Sequence, residues 1–351
     1  MKEKVLMKEP LLKLQWERVR EPIPLNSETA GKLISPWSKE QIKSLELLSQ
    51  GCTNTNYKIT FERNHAPVVL RIYVREKDAI LREYYLSKRL QGILLVPKFL
   101  YVALSSSLLP YPYTVTEWSE GVLMREVLVT EEEQAIKECA FCAGETLDIL
   151  RKVKLSPAGF FRNDLSIQPF KREEKYLPFA LKHLQDPIVQ ESLKPEVLKE
   201  LKAIIQQFKQ FLPSTKEANL THADFDPANI LVKKKDNQWK ITAFLDWEFA
   251  FAGSYLLDIG MMLRYAHKLP PIYEKSFIEG VESRGQRLPL HWRESAKLMD
   301  LLCLLNLLYH NPRAQRPIIN QDVSSLIENT VSYFNSLKDN REFLNHLLEP
   351  I

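Results

Sequence analysis

The 351 residues of this sequence predict an α+β chain in two unequal lobes, the first rich in strands with one helix, the second larger and helical. Three observations carry that expectation. Before Trp118 the apolar residues fall in short β-type runs, whereas after it they recur at helical spacing over long stretches. Between Leu220 and Ala250 two further strand-like runs return around a polar turn, bracketed by His222, Asp224, Asn229 and Asp246. A chain of this length can hold two lobes with separate cores, and the expected division is 1–117 and 118–351.

Taken in order, Pro22, Pro24 and Pro36 bracket a short helical pattern over 27–33, expected to pack on the first lobe. Strand-like runs follow at 44–48, 57–61, 68–73, 99–104 and 113–117, with a strongly helical segment at 77–90 between the third and fourth. The segment 116–121 joins the lobes, and the cleft there is a preferred place for a ligand. Beyond it, amphipathic stretches at 131–153, 195–211, 273–284, 292–309 and 323–337 predict the helices of the second lobe. No internal repeat or low-complexity linker interrupts them.

Composition narrows the function classes. A hydrophobic fraction of 45% and a charged fraction of 26% are those of an ordinary globular protein. The formal net charge is only +4, and the one basic block, Lys233 to Lys235, falls in the presumed turn, so no nucleic-acid partner is expected. The first ten residues are broken by charge and proline, which argues against an export signal. The most apolar stretch, 298–309, is too short for a span and contains Asp300 and Asn306, so no membrane partner is expected. Four cysteines in such a length suggest a reducing, cytoplasmic compartment. Cys139 and Cys142 form a C-x-x-C inside a helical pattern, where they read as small buried hydrophobes, while Cys52 sits in a loop open to alkylation.

Two segments carry chemistry. In 220–232 the order H-x-D-x-x-x-x-N places Asp224 where it can accept a proton from a substrate hydroxyl, and Asn229 where its amide oxygen can meet a hard cation. In 244–250 an apolar run ends at Asp246, a carboxylate suited to bridge Mg²⁺ and nucleotide phosphates. Upstream, the loop containing Gly51, Thr53 and Asn54 lies between two strand-like runs and offers backbone N–H groups and hydroxyls to phosphate oxygens, although the same residues also make ordinary turns. Arg71 interrupts an apolar strand, and Glu83 in the following helix is placed to hold it beside phosphates. Around a substrate, Asp226 can meet a cation or cap the loop before Pro227. Glu248, Glu279 and Trp247 are weaker candidates, and 159–164 offers one wall of an acceptor pocket.

On these residues the chain resembles the aminoglycoside phosphotransferase family, a branch of the protein-kinase-like fold that also includes choline, ethanolamine, macrolide, homoserine and fructosamine kinases. The resemblance runs from about 45 to 265. It implies a bilobal kinase-like fold with Asp224 as catalytic base, Asn229 and Asp246 as magnesium ligands, and His222 as the structural histidine of the loop. It further implies Arg71 and Glu83 as the phosphate-anchoring pair, 51–56 as the phosphate loop, Glu117 and Trp118 as the hinge against the purine edge, and Asp258 as a structural tie. The chain departs from the family pattern in having Arg71 where lysine is usual, Ala223 where glycine is common, and no histidine in 147–152.

The implied activity is transfer of the γ-phosphoryl group of ATP or GTP, with Mg²⁺, to a hydroxyl of a small molecule such as an aminoglycoside or another antibiotic. Metabolic acceptors such as choline, ethanolamine, homoserine or amino sugars would use the same catalytic residues. A nucleotide-binding pseudokinase is disfavoured because Asp224, Asn229 and Asp246 all remain, and a protein kinase because Asp258 follows Asp246 without room for an activation segment. Nucleotide choice, acceptor and oligomeric state are left open by the residues.

Overall fold

The computed structural model of the chain describes residues 10–18, 20–48, 53–63, 65–74, 77–130, 132–216 and 218–338. Asn26 opens α1 (Ser27–Ile34): its side chain accepts the N–H of Thr29 at 2.8 Å and satisfies a donor that a first helical turn leaves open. Ala30, Leu33 and Ile34 then share one face and are buried against the first sheet.

That sheet holds β1 (Ile42–Leu48), β2 (Thr55–Phe61), β3 (Val68–Ile72), β4 (Phe99–Ala103) and β5 (Tyr113–Glu117), antiparallel throughout in the order β1-β2-β3-β5-β4. Tyr57, Ile59 and Phe61 alternate with less buried residues on β2, as Val68, Leu70 and Ile72 do on β3. The period of two therefore turns Arg71 to the face opposite this core. Between β3 and β4 runs α2 (Lys77–Leu90), which carries Glu83.

A second hydrophobic cluster organises the helical part. After β6 (Val122–Leu123) come α3 (Met124–Leu128) and α4 (Glu133–Leu150), then β7 (Lys154–Leu155), β8 (Gly159–Phe161) and β9 (Ile167–Pro169). Next are α5 (Tyr176–His183), α6 (Pro187–Ser192), α7 (Pro195–Phe208) and β10 (Ala218–Thr221). The hairpin of β11 (Ile230–Lys235) and β12 (Gln238–Phe244) leads to β13 (Phe251–Gly253) and α8 (Leu256–Met262). The last helices are α9 (Ile272–Val281), α10 (Trp292–His310) and α11 (Pro317–Lys338).

Here β12, β11 and β6 form a three-stranded sheet, and β7, β10, β13, β8 and β9 a five-stranded one. Helices α4 and α9 meet backbone to backbone at Gly144 and Gly280. The α+β class and the placement of α1 on the first sheet agree with the sequence reading. Helix bounds shift: α11 begins at Pro317, six residues earlier than the apolar spacing indicated, with proline at a helix start where its missing N–H is harmless. Among the described residues no helix is long and apolar enough to cross a membrane. Cys139 is buried on α4, where burial pushes its thiol up to about 12, as suits a packing residue; Cys52 lies outside the described residues.

Candidate active site

The β11–β12 hairpin sets the frame. The block Lys233 to Lys235, expected in its polar turn, instead continues the first strand; the second begins at Gln238, leaving Asp236 and Asn237 alone in the turn with φ of 50° and 60°. Asp and Asn tolerate that left-handed backbone, which matches the twist of a two-residue hairpin. Ile230 pairs with Phe244, so the residues just before β11 and just after β12 come side by side. The N–H of Leu245 donates to the carbonyl of Asn229 at 2.8 Å, and Asp246 follows in a left-handed conformation, φ 60°.

The loop before the hairpin is fixed from below. Ala223 has φ 63°, which explains why glycine suits this position. The N–H groups of His222 and Ala223 donate to the two carboxylate oxygens of Asp258 on α8, at 2.8 and 2.9 Å. Burial pushes the Asp258 carboxyl up to about 7, against these two bonds that favour its charge. His222 is buried, with Nε2 donating to the Leu245 carbonyl at 3.0 Å and Nδ1 accepting the N–H of Asp224 at 3.2 Å. Those partners fit the neutral ring with its proton on Nε2, and burial holds the imidazole below its ordinary value. Trp247 packs over it, ring centroids 4.4 Å apart.

Asp224 is thereby presented at the mouth of the loop, its side chain 25% exposed. Asn229 Nδ2 donates to its Oδ2 at 2.6 Å and to its backbone carbonyl at 3.0 Å, and Lys13 Nζ donates to its Oδ1 at 3.0 Å. Burial opposes its ionisation, but the Lys13 ammonium, its hydrogen bond, His222 and the Asn229 amide outweigh burial and hold the carboxyl below the usual range. Asp226 is fully buried: Oδ1 accepts the N–H of Ala228 at 2.9 Å, and Oδ2 lies 3.1 Å from Lys13 Nζ. It therefore caps the turn before Pro227, with its second oxygen turned to a cation supplied by the protein itself.

Arg71 faces this loop from the open side of β3. Its Nη1 donates to Asp246 Oδ1, and Glu83 Oε1 stands 3.7 Å away. Tyr73 lies beneath, its ring centroid 4.8 Å from the guanidinium and its hydroxyl donating to Glu83 Oε2 at 2.9 Å. Burial raises the Glu83 carboxyl, the Arg71 charge opposes the rise, and Asp246 adds to it. Arg71 Nε is buried with no hydrogen-bond partner among the described residues.

Lys13, Arg71, Glu83, Asp224, Asn229 and Asp246 line one cavity of about 940 Å³ that reaches from Thr53 and Asn54 to the aromatic side chains of Phe160 and Phe170, while Asp226 does not border it. Gly51 lies outside the described residues. Glu117 and Trp118 also line the cavity, but the N–H of Glu117 donates to Lys98 O at 2.9 Å and that of Trp118 to Pro67 O at 3.3 Å. Glu248 borders it at 9% exposure, and Trp247 is a packing residue with a 2% exposed side. Glu279 stands apart on α9, 4.0 Å from Lys275 and against a different surface cavity. Lys13 had no signal in the sequence, because nothing in the pattern of residues around it indicates that this segment crosses to the loop of Asp224.

The donor set suits a hard cation. The Asn229 amide nitrogen is committed to Asp224, which leaves its amide oxygen as the group able to meet a cation, and the Asp246 side chain is 35% exposed. No group of three or more His, Cys, Asp or Glu side chains that could hold a metal ion by itself occurs among the described residues.

The description of the phosphotransferase enzyme family, APH, matches residues 44–294. Aminoglycoside 2'-phosphotransferase-IIIa in its GDP complex superposes with a TM-score of 0.66 at 15% identity, covering 88% of this chain and 99% of that one. A thermostable mutant of aminoglycoside phosphotransferase APH(4)-Ia, in a ternary complex with AMP-PNP and hygromycin B, gives 0.62 at 16% identity, covering 88% and 96%. None of the curated proteins matches the chain. The family match spans most of the chain and agrees with the kinase-like fold: the chain belongs to the phosphotransferase enzyme family and is a small-molecule kinase.

Proposed function

We propose that the protein transfers the γ-phosphoryl group of ATP or GTP in line to a hydroxyl of an antibiotic-sized small molecule, with Asp224 as the base. The observation that carries this reading is the meeting of Asp224, Asn229 and Asp246 with Arg71 at one wall of one cavity. Asp224 would orient the acceptor hydroxyl and take its proton as the new bond to phosphorus forms. His222 and Asp258 hold the loop so that the carboxylate needs no reorganisation at that moment.

Asn229 and Asp246 would hold Mg²⁺, which when bound offsets charge developing on the β and γ oxygens. Arg71 would turn its guanidinium to the nucleotide phosphates, with Glu83 Oε1 standing 3.7 Å from its Nη1, and Thr53 and Asn54 would border the same phosphates. Glu117 and Trp118 border the part of the cavity suited to the base. Division of the chain at 117 into two functional lobes, nucleotide between them, follows from this reading.

The test is nucleotide consumption by the full chain with Mg²⁺ and ATP or GTP against aminoglycosides, macrolides, neutral antibiotics, choline, ethanolamine and amino sugars. Turnover on one class that falls by about a hundredfold or more in Asp224→Ala is expected. Absence of nucleotide binding would sink the reading.

A further inference from the structure

Residues 10–18 lie apart from α1 and pack on the helical part of the molecule. Leu12 is buried in its core at 1% exposure, and Trp16 Nε1 donates to Asp322 Oδ2 at 2.7 Å. The Glu17 carboxylate accepts the N–H groups of Ile318 and Ile319, at 2.7 and 3.0 Å, and so caps the start of α11. Lys268 Nζ donates to the carbonyl of Pro10 at 3.1 Å, and Arg18 Nη2 crosses to the carbonyl of Asn54, also at 3.1 Å. The strap is thus tied along the helices and again beside the loop that precedes β2.

At its centre Leu12 and Lys13 have φ of 50° and 59°, a left-handed pair that side chains with a Cβ seldom adopt in succession. Their surroundings hold them there. The result is a lysine aimed at the reacting loop: Lys13 Nζ lies 3.0 Å from Asp224 Oδ1 and 3.1 Å from Asp226 Oδ2, with its side chain 10% exposed.

A polycationic acceptor needs carboxylates to receive its ammonium groups. Here the carboxylate proposed as the base, Asp224, and that of its neighbour Asp226 are already paired with a cation of the chain. A second ammonium would either meet Lys13 at close range, a like-charge contact in a poorly solvated site, or strip the strap from its anchors. Nearby, Arg264 is buried and bound to Asp300 by three contacts of 2.6 to 3.3 Å. Of the other bordering carboxylates, Glu174 accepts the N–H of Lys171 and Glu248 lies near Arg71. The same cavity is lined by the apolar side chains of Phe160, Phe170, Phe179, Met261 and Leu302, with Asn306, Asn311 and Arg316 as polar neighbours.

We propose that Lys13 is a specificity-determining residue of the acceptor site: by neutralising Asp224 and Asp226 it excludes polycations and selects a hydroxyl carried on an uncharged or anionic, largely apolar molecule. The inference rests on the phosphotransferase reading above and refines its acceptor class.

The experiment uses the full chain loaded with Mg²⁺ and AMP-PNP, titrated calorimetrically at low salt with kanamycin, a polycation, and with chloramphenicol, a neutral aromatic diol. Wild type is expected to bind kanamycin at least tenfold more weakly than Lys13→Gln, while Lys13→Arg behaves as wild type and chloramphenicol affinity does not rise in Lys13→Gln. AMP-PNP affinity reports that each variant is folded. Equal kanamycin affinity in wild type and Lys13→Gln, whether tight or absent, overturns the role of Lys13 while leaving the kinase reading intact. Failure of wild type to bind AMP-PNP overturns both.

Discussion

The guanidinium of Arg71, on the open face of β3, donates to the carboxylate of Asp246 just beyond the β11–β12 hairpin. One contact therefore links the first sheet to the loop assigned to the metal. Nucleotide and Mg²⁺ would have to divide this pair, the ion taking Asp246 and the phosphates taking Arg71. Arg71→Ala is expected to weaken Mg·ATP binding by about tenfold or more, the loss of charge-assisted hydrogen bonds worth roughly 1.5–3 kcal/mol. Arg71→Lys should fall between, keeping charge but not the fork. Titration with a fluorescent nucleotide reads both, and an unchanged affinity in Arg71→Ala would assign Arg71 a structural role only.

Asp224 gives a pH prediction. The fold holds its carboxyl below the ordinary range, so it favours the ionised form; its contribution to stability is present above the unfolded value and lost as pH falls through the lowered folded one. As a base it should stay active to unusually low pH. Because Lys13 supplies the largest of the influences that oppose burial, Lys13→Gln should move the acid limb of kcat/KM to higher pH. A limb that stays in place in the variant would mean that Lys13 does not set the ionisation of Asp224.

Asp258 has the opposite sign. Burial raises its folded value from 3.8 to about 7, so the stability linked to it is full below the ordinary carboxylate range and is lost as pH rises through about 7. Asp258→Ala leaves the buried N–H groups of His222 and Ala223 without acceptors, at a cost of roughly 2–4 kcal/mol. Asp258→Asn keeps one acceptor and removes the titration. Urea unfolding from pH 4 to 8 should therefore show the gap between wild type and Asp258→Asn shrinking as pH rises. A constant gap would place the titration elsewhere.

How far the sequence reveals these relations depends on their range along the chain. The β11–β12 hairpin was legible because its alternation and turn residues are local, and it alone brings Asn229 next to Asp246. The five strands of the first sheet were legible for the same reason. The sheet of β7, β10, β13, β8 and β9 was not, since strands of two to four residues are too short to display a period. Helices α5 and α6 were missed likewise, at eight and six residues. Lys13 and Asp224 are separated by 211 residues, and no local pattern encodes such a meeting.

The Gly144 and Gly280 contact was equally silent, and it supplies the last prediction. A glycine inside a helix ordinarily lowers its stability, so alanine at either site should add about 1 kcal/mol by propensity alone. Here the helices touch. A Cβ on Gly144 would stand 2.1 Å from the carbonyl oxygen of Phe277, and one on Gly280 would stand 2.2 Å from that of Phe141. Both obstacles are backbone, which cannot rotate away as a side chain would. Overpacking costs typically about 1–3 kcal/mol and more where nothing can yield, so it outweighs the propensity gain. Gly144→Ala and Gly280→Ala should each lower the denaturation midpoint, and because α4 and α9 share one seam the double variant should lose less than the sum, the first methyl having already parted the helices. A stabilised Gly144→Ala would mean that the two helices do not pack this closely in solution.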